Sequence, residues 1–495
     1  MNIAGAIKNV VIAGGGIVAW SAAAALKRQI PSLAVTVVSC PVPQGALADR
    51  MTSTLPSIAV FHDDLGLTDS DTIFRARSGL RLGTLFEGWS ADHPSYVHAY
   101  GSYGMAIEGV PFHQLWLRAH AKGQVESFDR YALAAELGRL NRIGAAGSPK
   151  NPKPEIGYGL KLTRDRYHAL MRDYALHLGA KERSCLKLAP NLRGEDGFID
   201  TLALDEGAVV AGDLFVDCTG PAALLRATLD GRFDDWSQWL QCDRLILVDD
   251  DEPDHDASLL DRVIATASGW QWDSLSPFSR SRGTVYSSAH CSGDEAIQQL
   301  GGVGDATELS ICAGRWRDAW VRNCVAIGDS AAGVDPLEWT NLHLAHSQID
   351  RLVSMMPGKD CAPVELAEYN RQCGVEADRV RDFICTHYRT ARRDEPFWKD
   401  AAASEPPPSL AHSLALFEER GRLPYYEEET FSRDSWAAVL IGQSIIPRRT
   451  DPLADSLPLD RVRHELGRYS HSVRDIARAQ LSYADYFSSL AQENV

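Results

Sequence analysis

Apolar residues along the chain fall into two kinds of run. Short unbroken runs, Asn9-Val-Val-Ile-Ala13, Ala34 to Val38 and Cys324 to Ile327, predict buried strands, and Gly212 to Gly220 predicts a strand ending in a small-residue turn. Between them the period lengthens to that of a helix. Trp20 to Leu26 and Ser127 to Arg142 predict helices, and Thr163 to Leu178 predicts an amphipathic helix opening at Thr163. Tyr158 to Leu162, Ala208 to Asp217, Arg244 to Val248 and Thr284 to Ala289 predict further strands. Ala91 to Gly123, rich in aromatics and Gly, predicts loops over a pocket. From Leu342 onward the pattern is helical, interrupted at Glu405-Pro-Pro-Pro408. Strands alternating with helices and then a helical tail predict an α/β (α+β) fold: a sheet-rich body over 1–345 and a mainly helical region over 346–495. No internal repeat is seen.

Charge and composition narrow the classes. The chain has 495 residues and a formal net charge of −16, which argues against nonspecific binding to nucleic acid or anionic membranes, both of which need a cationic surface. No segment reaches the roughly 18 apolar residues that span a bilayer, and the first strand begins without a signal-peptide pattern. A cytoplasmic protein is expected. Its ten cysteines contain no C-x-x-C pair and no zinc spacing, so free buried thiols and no metal site are expected.

The turns after the strands carry the chemistry. Gly14-Gly-Gly16-Ile-Val-Ala19 fits the G-x-G-x-x-G/A fingerprint between a strand and a helix, with Gly14 for the tight turn and Gly16 for close approach to a pyrophosphate. The second strand ends in Ser39 where an acid would bind the adenosine ribose. Gly212 to Gly220 supplies a second small-residue turn. Gly328-Asp329 supplies a third, at a strand's carboxyl end, where Asp329 could accept bonds from ribityl hydroxyls. A helix starting near Thr340 would turn its free N–H groups toward a flavin's pyrimidine edge. Together these predict FAD binding through Gly14, Gly16, Ala19, Ser39, Gly220, Gly328 and Asp329. Three such turns in this order resemble the flavoprotein monooxygenase superfamily, in which an FAD-binding Rossmann-like domain is interleaved with a substrate-binding sheet.

Within that superfamily, Asp335-Pro-Leu-Glu-Trp-Thr340 resembles the Pro-Leu-Glu-Ser-Thr motif of the flavin-dependent tryptophan halogenases. Further similarity spans nearly the whole chain: Ser53-Thr-Leu-Pro56, Arg81-Leu-Gly-Thr-Leu-Phe-Glu-Gly-Trp89, Val285-Tyr-Ser-Ser288, His387-Tyr388, Asp394-Glu-Pro-Phe-Trp398, and Trp436 before Gly442-Gln443. The resemblance implies FADH2 from a separate flavin reductase, O2, chloride or bromide, a flavin hydroperoxide, and hypohalous acid passing through a tunnel to a small aromatic, indole-like substrate. It gives Glu338 the role of orienting the oxidant or stabilising the cationic ring. A carboxylate favoured in a first helical turn is the alternative role for Glu338.

Three positions depart from the family pattern. Arg81 stands where the family has its lysine, and arginine, always protonated, offers a fork of donors rather than an amine that could carry halogen; a solvent-facing strand or loop charge is the alternative role for Arg81. In Gly269-Trp-Gln-Trp-Asp-Ser-Leu-Ser-Pro277 the wall residues Trp270 and Trp272 remain, but Ser274-Leu275 replaces an Ile-Pro pair. The halide place falls at Trp339, Thr340 and Asn341, with Asn where glycine is usual. Asn tolerates positive φ, so the anion nest is expected to survive. His343 and His346 are expected to be ordinary helix histidines. The competing readings are an oxygenase or oxidase on the same scaffold and a noncatalytic flavin-binding protein. A homodimer is compatible with the sequence.

Overall fold

The computed structural model describes residues 5–90, 93–123, 125–143, 156–229, 231–250, 257–302 and 306–493. The chain forms two units, each drawing on residues from both sides of position 345. One comprises 1–78, 162–244 and 309–379, the other 79–161, 245–308 and 380–495.

The first unit is built on a six-stranded sheet. Five strands are parallel, in the order Cys324–Ala326, Leu214–Asp217, Asn9–Ala13, Ala34–Ser39, Lys181–Ser184, and Trp320–Val321 adds an antiparallel edge. The chain winds outward one way from Asn9–Ala13 to Lys181–Ser184 and the other way through Leu214–Asp217 to Cys324–Ala326. The switch point lies between Asn9–Ala13 and Leu214–Asp217, and open α/β sheets bind ligands beyond the strand ends there. The Ile17–Gln29 helix follows the first strand, with Ile17 through Leu26 all buried, as its run of small residues permits.

The second unit holds a seven-stranded sheet in the order Thr307–Ser310, Arg244–Asp250, Arg280–Tyr286, Gly269–Leu275, Leu260–Thr266, Gly83–Glu87, Ser95–Ala99. A two-stranded pair, Gly79–Arg81 with Gly159–Lys161, joins it in this unit, with Arg81 opposite Gly159. Helices Pro396–Ala403, Pro408–Arg420, Arg433–Gly442, Leu459–Arg478 and Tyr483–Glu493 also belong to this unit.

Several elements depart from expectation for visible reasons. The 91–123 region is not all loop: leaving aside 91 and 92, outside the described residues, it contains the strand Ser95–Ala99 and the helix Phe112–Ala121, which buries Phe112, Leu115, Trp116 and Leu117. The helix expected from Ser127 to Arg142 is split into a 3-10 turn, Phe128–Tyr131, and a helix, Leu133–Leu140. Asp129 draws the first turn aside by accepting from Val97 N–H at 2.8 Å and Ser127 Oγ at 2.7 Å, and Asn141 ends the helix in the left-handed region at φ 51°. Thr163 does precede the Arg164–His177 helix, but its hydroxyl donates to the Arg77 carbonyl at 2.7 Å instead of capping. All ten cysteines are free; eight are buried as expected, while Cys40 is half-buried and Cys312 exposed.

Candidate functional site

At the switch point the backbone is tightly fitted. Gly14, at φ +139°, donates its N–H to the Val38 carbonyl at 3.0 Å, and a Cβ there would lie 2.5 Å from the Cys218 oxygen. Only glycine makes this turn. Ala19 is fully buried in the first helical turn, and Ser39 closes the second strand, its carbonyl accepting from Cys185 N–H at 3.0 Å. Gly220, at φ +75°, passes beneath Pro43. Asp217, inside the Gly212 to Gly220 segment but not among the predicted site residues, holds this second turn: one carboxylate oxygen accepts from Thr219, the other from the N–H groups of Leu225 and Arg226, both at 2.8 Å. At the third turn Gly328 takes φ +67° and donates its N–H to Gln348 Oε1 at 2.7 Å, so Gln348 is a second supporting residue.

Two carboxylates stand at this crevice. Asp329 Oδ2 accepts from Ala48 N–H at 2.7 Å, and burial pushes its pKa up to about 8, with Asp49 adding to the rise. Asp49 Oδ1 accepts from Val18 N–H at 2.8 Å, in the first turn of the Ile17–Gln29 helix. Burial raises its pKa to about 6 despite that bond and the nearby His168 and Arg50. A Cβ on Gly16 would meet the Asp49 carboxylate at 2.3 Å. The glycine turn, helix terminus and Asp329 lie together at the switch point, but the place beside Gly16 is taken by the Asp49 carboxylate, so a pyrophosphate fits there only if that side chain shifts.

In the same unit, the segment before the Asn341–Ser354 helix is wound tightly. Asp335 Oδ1 accepts from Leu337 N–H at 2.9 Å, and Glu338 (φ 66°) and Trp339 (φ 60°) are consecutive left-handed residues. Both are buried. Non-glycine residues in that region carry strain of about 1–3 kcal/mol each, a cost that clusters at functional sites. This corrects the expectation for Asn341: it begins the helix and fixes its amide on the Val334 carbonyl at 3.0 Å, while the positive φ falls on Glu338 and Trp339. Thr340 Oγ1 and Asn341 Oδ1 are buried with no hydrogen-bond partner among the described residues. His343 is bound on both sides, Nδ1 to Ser57 Oγ at 2.7 Å and Nε2 to Glu376 at 3.3 Å, and His346 stacks on Phe61 at 3.8 Å. Among the described residues no group of three or more His, Cys, Asp or Glu could hold a metal.

The remaining predicted residues lie in the second unit. Arg81 is wholly buried. Its Nε pairs with Asp261 Oδ2 at 2.5 Å, its Nη2 donates to Thr84 Oγ1 at 2.5 Å, and the guanidinium lies 5.1 Å from the Tyr100 ring centre. This excludes a solvent-facing charge. Lys161, which sequence reasoning passed over, binds the other Asp261 oxygen at 3.0 Å and the carbonyls of Leu260 and Leu275 at 3.1 and 3.2 Å. Burial pulls its pKa down, and Asp261 opposes that pull. No motif marked Asp261 or Lys161; the one available cue was Lys161 inside the otherwise uncharged run Tyr158 to Leu162. Trp270 and Trp272 point to the same buried side of their strand, with rings 5.7 Å apart, and Trp270 Nε1 donates to Tyr388 OH at 2.8 Å. Trp436 is buried edge-on to Phe383 at 5.0 Å.

Residues 9–459 match the tryptophan halogenase family. The chain belongs to that family. Its fold superimposes on BrvH, a flavin-dependent halogenase from Brevundimonas sp. BAL3, with a TM-score of 0.91 and 32% identity, covering 98% of this chain and 99% of that one. It superimposes equally on Xcc4156, a flavin-dependent halogenase from Xanthomonas campestris, at a TM-score of 0.91 and 30% identity, covering 98% of each. Tryptophan 6-halogenase ThaL of Streptomyces albogriseolus is 26% identical, over 97% of this chain and 94% of that protein. The protein is thus an oxidoreductase of the flavin-dependent halogenase type, dependent on reduced FAD and O2. No helix among the described residues is long and apolar enough to cross a membrane.

Proposed function

We propose that this halogenase installs bromide or chloride on an indole-bearing aromatic substrate, using FADH2 delivered by a separate reductase, with Glu338 and Arg81 as catalytic residues. The observation that carries this reading is the strained Glu338-Trp339 pair next to the orphaned Thr340 hydroxyl and Asn341 carbonyl at a helix N-terminus. A fold keeps such strain and such unsatisfied polar atoms where a ligand uses them.

When bound, the reduced flavin supplies the two electrons that activate O2 so that halide becomes an electrophile. The protein's own residues do the rest. Thr340 Oγ1 and the helix N-terminus favour an anion, the halide. Glu338 stabilises the cationic ring and takes its proton as aromaticity returns. Arg81 donates hydrogen bonds to hypohalous acid, its fork fixed by Asp261 and Thr84; staying protonated, it orients the oxidant without carrying halogen covalently. Gly14, Gly16, Ala19, Ser39, Gly220, Gly328 and Asp329 line the cofactor's place, and Trp270, Trp272 and Trp436 wall the substrate's.

The test is incubation with a flavin reductase, FAD, NADH and bromide, with indole as probe and mass spectrometry as readout. A monobrominated product that requires bromide supports the reading. A hydroxylated product formed without halide would move the protein to the oxygenase class.

A further inference from the structure

The Leu47–Asp49 turn makes two contacts that a bound dinucleotide would need for itself. Ala48 N–H donates to Asp329 Oδ2, the carboxylate expected to serve the ribityl chain, and Asp49 Oδ1 accepts from Val18 N–H in the first turn of the Ile17–Gln29 helix. That helix has no side-chain cap of its own and no acid in its first turn, so Asp49 is the anion answering its N-terminal partial charge. The carboxylate is almost wholly buried and presses on Gly16, where a side chain would strike it at 2.3 to 2.6 Å. The glycine that opens the cradle faces this aspartate.

We propose that Asp49 is an internal stand-in for the cofactor's pyrophosphate: its carboxylate fills the anion place of the cradle, and a dinucleotide binds by displacing it. This rests on the flavin-dependent reading above and adds a residue that sets cofactor affinity. Two like charges do not share one helix terminus, so Asp49 must leave the N–H groups for the diphosphate to reach them. Asp49 thereby opposes ligands that carry a diphosphate and is indifferent to those that do not.

The experiment titrates flavin-free native protein, Asp49→Asn and Asp49→Ala with FAD and with riboflavin, reading flavin fluorescence, and records the melting temperature of each protein without ligand. Expected are about tenfold tighter FAD binding in both variants, unchanged riboflavin binding, and a lower melting temperature for flavin-free Asp49→Ala, whose helix has lost its anion. Asp49→Asn keeps the shape and the acceptor, so it reports on charge even if the alanine variant folds poorly. FAD affinity that is equal to native or weaker in both variants overturns the inference and leaves the halogenase reading standing. Failure of native protein and variants alike to bind FAD overturns both.

Discussion

Glu338 shows how much one residue's backbone can say about its task. A carboxylate placed in a first turn for the helix dipole alone has no need of φ 66° or of near-complete burial, yet Glu338 has both. Glu338→Gln keeps the volume and removes the charge. Halogenation is expected to fall by about 10²–10³-fold, the usual cost of losing one electrostatic group aimed at developing charge, with FAD affinity unchanged. Full activity with indole and bromide would reduce Glu338 to a capping role. Gly16 gives a second prediction at this scale. A valine there puts its Cβ onto the Asp49 carboxylate and its methyls into the cradle, so Gly16→Val should lose FAD binding. Fluorescence titration with native affinity would remove the cradle from the cofactor site.

Among elements, those with a local cause were legible in the sequence. The Asn9–Ala13 strand, the glycine turn and the Ile17–Gln29 helix follow from an apolar run, a forced positive φ and small residues in series, all within 21 residues. The Arg81 cluster was not legible, because its members come from strands far apart in the chain: Arg81 and Thr84, Lys161, and Asp261. Sequence reasoning left a solvent-facing Arg81 open, and tertiary pairing decided against it. Asp261→Ala strips two buried cations of one shared partner and should destabilise by ~3–5 kcal/mol. Asp273→Ala, which breaks the partly exposed pair with Arg280 on the neighbouring strand, should cost ~1 kcal/mol or less. Equal denaturant midpoints for the two variants would contradict this ranking. The Gly328–Ser330 turn, whose Asp329 accepts from Ala48 N–H, carries a pH signature of its own. Asp329 is an acid whose pKa is raised in the folded chain, so the fold binds its proton more tightly than the unfolded chain does. The resulting stabilisation is present below pH ~4 and lost as pH rises toward about 8. Asp329→Asn cannot titrate there. Its melting temperature relative to native should therefore rise steadily across that window, and a constant difference would show that Asp329 does not hold the raised value.

For the whole molecule, the question is which reaction the family fold performs with the residues it has here. The proposed reading has FADH2 delivered by a separate reductase, so NADH without a reductase should not bleach bound flavin. The family match covers residues 9–459, and an arginine stands where the resemblance places a lysine. Restoring that lysine tests whether one position accounts for the difference. In the folded chain, however, position 81 is one corner of a cluster in which Asp261 already holds the Lys161 ammonium. A lysine at 81 would be a second ammonium on the same carboxylate, too short to keep the Thr84 bond and held charged by Asp261. Arg81→Lys alone is therefore expected to leave bromination of indole at or below the native rate. Chlorination of free tryptophan should be weak in both proteins, because a protonated donor orients hypohalous acid without forming an N–halogen bond. Product yield against reductase turnover, measured with bromide and with chloride, decides the matter: a gain of about tenfold or more in Arg81→Lys, ~1.4 kcal/mol in the barrier, would show that the missing amine was the sole obstacle and that Asp261 and Lys161 do not restrain it.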